Sequence, residues 1–338
     1  MRHVHTFLGL GAIAGAVLLP ISAGAHHHRI NFATTTIAFH GTLTRVDWQN
    51  PHVYLWVRAP DENGKDVEWE IETSSTPSLI RRGVQQDTLQ AGQEVTVRGN
   101  PDVDPQRKRL WIQSITKADG TTFVLQGPIE SESAVAQQRA ASLEGVWSTV
   151  GSAYDRTHAA THLPLTAKGK AAAAAFNVAN DPFANCVPPP VPDSLTTPYL
   201  HEIMFNADKT ITLREEYWEI ERTVYMDGRG HPANGPRTNQ GHSIGRWDGN
   251  VLVVDTTLFE DHGYGNGSGI PSGAGKHIVE RYALTDGGAT ITIDYVLEDA
   301  EYLSAPAKDT RQWRYTPHLT LLPNKCDLAD ARRYIGND

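Results

Sequence analysis

The chain has 338 residues, with 30 Lys and Arg against 39 Asp and Glu and a formal net charge of −9. That length suits about two domains. An acidic balance with no basic stripe excludes nucleic acid as a partner. Beyond the first 25 residues no stretch approaches the ~20 apolar residues of a spanning helix, so no transmembrane segment is expected in the mature protein.

In chain order, residues 1–25 read as a signal peptide. Arg2 precedes a nearly all-apolar run at 7–19, Pro20 breaks any helix, and Ala23-Gly24-Ala25 is a small-residue cleavage pattern. Cleavage gives a periplasmic or secreted protein beginning at His26. The freed amine with His26, or with His28 in a square nitrogen arrangement, suits Cu(II) or Ni(II). Copper is therefore a candidate there; the rest of the chain implies no required cofactor. A frayed polar terminus is the simpler alternative. In an oxidising compartment the two cysteines, Cys186 and Cys326, are expected to pair. So long a closed loop adds roughly 4 kcal/mol.

Residues 26–125 alternate apolar and polar side chains in short stretches: HGTLTRVDW, HVYLWVRAP, DVEWEIET, EVTVRGNP and RLWIQSITKADG. Asn63-Gly64 and Asp119-Gly120 are hairpin dipeptides, and a short helix fits residues 77–83. Five strands with one midway helix predict an OB-like small barrel. The histidines after the signal, with GTLTRVDWQNPHV, resemble a bacterial domain family of unknown function at His26, His27, Gly41, Trp48, Asn50, Pro51 and His52. The resemblance spans about residues 26–125. It implies export and a small β barrel but no activity. Family members usually carry serine where His28 stands.

Residues 126–143 read as a linker. The unit 144–322 then opens with Gly145-x-Trp147, which resembles the first strand of lipocalin-like barrels. Alanine-rich 168–176 predicts a helix. CVPPPVPD predicts an extended strap, because prolines remove backbone donors. Seven strand patterns follow in meander order from residue 199, with turns at Asp248-Gly249-Asn250 and Asp286-Gly287-Gly288. The fold class expected is all-β: an OB-like barrel, a lipocalin-like meander barrel that encloses a small-ligand cavity, and a tail at 323–338. DGRGHP, GHSIGRWDGNVLVVDT and HIVERYALTDGGATITIDYVLEDAEY resemble a set of exported, largely uncharacterised bacterial proteins over about residues 185–315.

Strand parity places His277 and Arg281 on one face of their strand and Asp255 in an apolar strand, so the three are expected to line the barrel as an acid–base group. Asp227, Arg229 and His231 in DGRGHP form a second candidate catalytic cluster at the barrel mouth. Tyr225, His242, Trp247 and Glu280 are candidate ligand-binding residues. His158 and His162 in THAATH have a zinc-like spacing but no third ligand. The function expected is cofactor-independent lyase, isomerase or hydrolase chemistry on a small organic molecule. Non-catalytic ligand binding and copper handling are the alternatives. The sequence does not indicate an oligomeric state.

Overall fold

A computed structural model describes residues 32–61, 63–126, 138–150, 163–175, 181–267 and 269–333. The expected signal peptide, His26, His27, His28, His158 and His162 lie outside them.

The N-terminal unit contains β1 (Ile37–Asp47), β2 (Tyr54–Pro60), β3 (Asp66–Glu72), α1 (Thr76–Arg81), β4 (Glu94–Pro101), β5 (Arg109–Lys117) and β6 (Thr122–Val124). The sheet order is β3-β2-β1-β4-β5-β6, and a parallel β3–β5 pairing closes the first five strands into the expected OB-like barrel. Strand β1 serves two neighbours: its first half pairs with β4 and its second with β2. Gly41 sits where the two pairings meet, and a Cβ there would lie 2.3 Å from the Arg58 carbonyl oxygen. Leu43, Val57, Ile71, Val95 and Ile112 are wholly buried in the core. α1, entered through Pro77 as proline's fixed φ favours, adds buried Leu79.

The C-terminal unit contains β7 (Gly145–Thr149), α2 (Ala167–Ala174), β8 (Leu200–Phe205), β9 (Thr210–Glu215), β10 (Ile220–Tyr225), β11 (His242–Asp248), β12 (Val251–Thr257), β13 (His277–Thr285), β14 (Thr290–Glu298) and β15 (Ala307–Tyr315), and its nine strands close into a barrel. The meander is antiparallel except at one seam, where β10 pairs parallel with β11. Residues 226–241 leave the end of β10 and return to the same level, so β11 continues in the direction of β10. Trp147, Ile203, Leu213, Val224, Leu252, Val254, Ile278 and Ile293 build the core. Ala140 and Leu143 already pack in it, ahead of the boundary drawn at residue 144.

The proline-rich strap lies over one end of this barrel. Its Val191 and Leu195 are buried in the barrel core, and Trp313 donates its indole N–H to the Leu195 carbonyl. Asn239 and Gln240 donate to the carbonyls of Pro188 and Pro189, and the buried Lys276 ammonium donates to those of Val191 and Gly265. Cys186 and Cys326 form the expected disulfide, which ties the strap to the C-terminal segment carrying α3 (Leu328–Ala331).

Candidate functional site

Side-chain parity in β13 separates two groups with different chemistry. Ile278, Glu280 and Tyr282 are fully buried and point inward, whereas His277, Val279 and Arg281 alternate with them on the outer face. In β12, Leu252, Val254 and Thr256 face inward, since Val254 pairs with Glu280 and Asp255 with Val279. The expectation that His277, Arg281 and Asp255 line the barrel interior is therefore overturned. They lie outside, with side-chain exposures of 32%, 43% and 32%. The apolar neighbours of Asp255 misled because β12 is apolar on both faces: Val253, on the outer side, is only 1% exposed.

Most of the named residues nevertheless assemble, in a row across the outer face at one barrel end. That end is where β10, β12 and β14 finish and β11 and β13 begin. His277 Nε2 lies 2.9 Å from Asp255 Oδ1, and its Nδ1 lies 3.1 Å from Glu298 Oε2. His231, delivered by the 226–241 excursion, places Nε2 3.2 Å from the same Asp255 oxygen and Nδ1 2.8 Å from His242 Nδ1. The row thus runs Glu298, His277, Asp255, His231, His242. The His242 ring stacks on Tyr225 at 5.2 Å, and the Arg229 guanidinium lies 4.1 Å above the Tyr225 ring. Asp227 holds Arg229 through a bidentate contact, and Arg229 holds the Asp227 carboxyl down at about 2.

An Nδ1–Nδ1 hydrogen bond needs one ring to donate and the other to accept. Burial, then the neighbouring His231 and Arg229, lower the pKa of His242, which favours its neutral ring. With both rings neutral, His231 donates a hydrogen bond from its Nε2–H to Asp255 and accepts at Nδ1 from the Nδ1–H of His242. His242 Nε2 is left as a lone pair with no hydrogen-bond partner among the described residues. This is the geometry of a general base oriented by a second imidazole and a carboxylate. Among the described residues, no three of His, Cys, Asp and Glu are placed to hold a metal ion.

Three expected site residues fall elsewhere. Arg281 pairs with exposed Asp248 at 2.8 Å. Trp247 is 47% exposed and meets Phe205 edge-on. Glu280 is not at a ligand surface but sealed inside the barrel, where Arg222 grips it through two hydrogen bonds of 2.5 and 2.9 Å and the Tyr282 hydroxyl donates to it at 2.6 Å. Around this pair lies a buried polar layer. Glu215 is pushed up to about 7 by burial, against the lowering effect of Ser194 and Arg222. His201, stacked on Trp313 at 4.0 Å, is pushed down to about 3 by burial.

Sequence reasoning missed Glu298, Glu215, Arg222 and His201. Glu215 and Arg222 were visible as charges in apolar phase, in ILE-type alternations at 211, 213, 215 and 220, 222, 224. Glu298 needed the β13–β14 register, which sets it opposite His277.

Residues 16–111 match the model of a family of unknown function (DUF6152), so the N-terminal barrel is similar to that family. No curated protein and no solved structure matches the chain. No helix among the described residues is long and apolar enough to cross a membrane.

Proposed function

We propose that this is an exported protein whose C-terminal barrel performs acid–base chemistry on a small organic molecule at the outer-face histidine row. The observation that carries the reading is the continuous hydrogen-bonded row from Glu298 to His242, which ends at the His242 imidazole beside Tyr225 and Arg229. His242 Nε2 takes a proton from the substrate. The charge that develops on the histidine pair is balanced by Asp255, which His277 holds in place from its other side. Proton abstraction of this kind serves hydrolysis, elimination or isomerisation without a cofactor.

The test is a panel of chromogenic esters and small β-elimination substrates, assayed with wild type, His242→Ala and Asp255→Asn. His242→Ala should lose at least ~100-fold of any turnover. In the wild type, the rate should rise with pH through a value below 6.5 and level off by neutrality, because the working base is the unprotonated His242. Equal rates in wild type and His242→Ala would remove the reading.

Non-catalytic ligand binding is the competing use of the same surface, and saturable binding without turnover across the panel would favour it. Copper capture by His26 and His28 is a separate proposal that rests on the sequence. Cu(II) titration of mature protein, beside a form extended by one alanine before His26, tests it. Equal affinity in the two forms would discard the amine as a ligand.

A further inference from the structure

The Cys186–Cys326 disulfide joins two segments with distinct tasks. Cys326 belongs to the C-terminal segment that holds the N-terminal barrel. Asp327 N donates to the Asn50 carbonyl, and His52 N donates to Asp330 Oδ2. The Arg333 guanidinium pairs with Asp47 and lies 4.1 Å above the Tyr54 ring. Upstream, Arg81 of the N-terminal barrel clamps buried Glu216 of the C-terminal barrel and also donates to the Thr320 carbonyl, while Leu322 N donates to Glu216 Oε1. The tail from 320 to 333 therefore fastens one barrel to the other beside the direct Arg81–Glu216 pair.

Cys186 belongs to the strap. Two residues further on, the Pro188 and Pro189 carbonyls accept from Asn239 and Gln240. Those residues end the excursion that delivers His231 and leads directly into His242. One covalent bond thus stands between the barrel-to-barrel fastening and the backbone that sets the histidine row. It is reachable: both cysteines are only half-buried, and Cys326 lines an open groove of about 580 Å³ between the barrels with Trp48, Glu219 and Lys325.

We infer that Cys186–Cys326 is a redox latch: a dithiol reductant that opens it uncouples the tail from the strap, so that the tail's hold on the N-terminal barrel and the 226–241 excursion both loosen, while both barrels stay folded. The part concerning the histidine row rests on the proposed function; the loosening of the tail does not. In the chemistry, a thiolate of the reductant attacks Cys326 Sγ, the S–S bond breaks and Cys186 leaves as a thiolate that takes up a proton. The reductant's second thiolate then resolves the mixed disulfide, freeing Cys326. Two electrons pass from the dithiol, which ends as a disulfide. Each barrel keeps its own core (Leu43, Ile71 and Ile112 in one, Trp147, Leu252 and Ile293 in the other), whereas the bond lies at a separate apolar cluster of Phe183, Tyr217, Trp218, Ile220 and Tyr264, against which Cys326 packs.

Hydrogen–deuterium exchange on the full chain tests this without using activity. Oxidised protein is compared with protein reduced by dithiothreitol under native conditions, and with Cys326→Ser as a second route to the open state. Opening should speed exchange at least about tenfold in residues 320–333 and in 226–241, and leave β2, β5, β12 and β14 as protected as before. Unchanged exchange in the tail would overturn the latch. So would acceleration confined to the tail, because the strap would then transmit nothing, and so would a uniform loss of protection through both barrels, because the bond would then be a general staple. If the latch behaves as stated and no substrate is turned over, the proposed function fails and the latch stands.

Discussion

Replacing Glu280 by Gln tests whether the barrel interior is organised around a buried ion pair. Glu280 is 0% exposed and Arg222 5%. The carboxylate takes both guanidinium N–H groups and the Tyr282 hydroxyl. Glutamine keeps the shape and one oxygen, but it removes the charge and points an amide N–H₂ at a guanidinium that has no acceptor function. Leaving one member of a buried pair uncompensated costs about 3–5 kcal/mol, which for a domain of this size lowers Tm by roughly 6–20 °C. Urea unfolding followed by tryptophan fluorescence reads the effect directly, since Trp147 and Trp313 lie in the same core. A Glu280→Gln variant within ~1 kcal/mol of wild type would refute the reasoning: Arg222 would then be solvated by some other route, and the low-dielectric interior assumed for it would not exist.

The pH dependence of stability should carry two opposed contributions. Glu215, at about 7 in the folded barrel against 4.5 ordinarily, binds its proton more tightly when folded, so it contributes stability that is lost as pH rises from 4.5 to 7, on the order of 3 kcal/mol. His201, at about 3 against 6.5, contributes stability that is lost as pH falls below 6.5; between 4.5 and 6.5 the two slopes cancel. Glu215→Gln should therefore unmask a steady rise in stability over that window in urea titrations at stepped pH, and a curve parallel to wild type would count against the assignment. Gly41→Ala should destabilise the N-terminal barrel by about 1–3 kcal/mol, because the new Cβ meets the Arg58 carbonyl at 2.3 Å and the Ala59 and Val57 side chains at 2.8 and 2.9 Å; a smaller loss in thermal unfolding would mean β1 can shift at its bend.

Much of the architecture is written locally. Period-two alternation, Asn-Gly and Asp-Gly turns and the Pro77 helix start mark nearly every strand of both barrels and α1. The parallel β10–β11 seam is not, because it depends on where a sixteen-residue excursion returns, which no local propensity encodes. The disulfide was legible from compartment and count. The outer-face row was legible in part of its membership, without Glu298 and with Arg281 wrongly included, but not in its side of the sheet. Asp255, His277, His231 and His242 do converge, yet alternation fixes only which residues share a face. Burial normally tells which face is inside, and β12 removes that signal by being apolar on both faces. Glu280 shows the converse error. Its charge suggested a ligand surface, whereas its phase with Ile278 and Tyr282 already put it in the core.

The interior pair and the outer row occupy opposite faces of the same strands, and this gives the buried charges a structural task. A one-residue slip between β12 and β13 would exchange their faces, setting Glu280 in solvent and His277 in the core. With buried Val253 on the outer side of β12 and Leu252 and Val254 on the inner side, hydrophobic burial alone discriminates weakly against that slip. The Arg222–Glu280 contact discriminates strongly, since it links β10 to β13 across the interior and either charge alone would be costly there. The pair thereby sets the register in which His277 meets Asp255 and Glu298. Replacing both members by methionine removes the charge without unpairing it, so the double variant should retain stability within ~1–2 kcal/mol of wild type or exceed it. Its histidine row should nonetheless become heterogeneous. In ¹H–¹⁵N imidazole spectra, His277 and His242 should split or broaden where the wild type gives one set of resonances. A double variant with sharp, wild-type imidazole signals would show that the apolar faces and the 226–241 excursion fix the register by themselves.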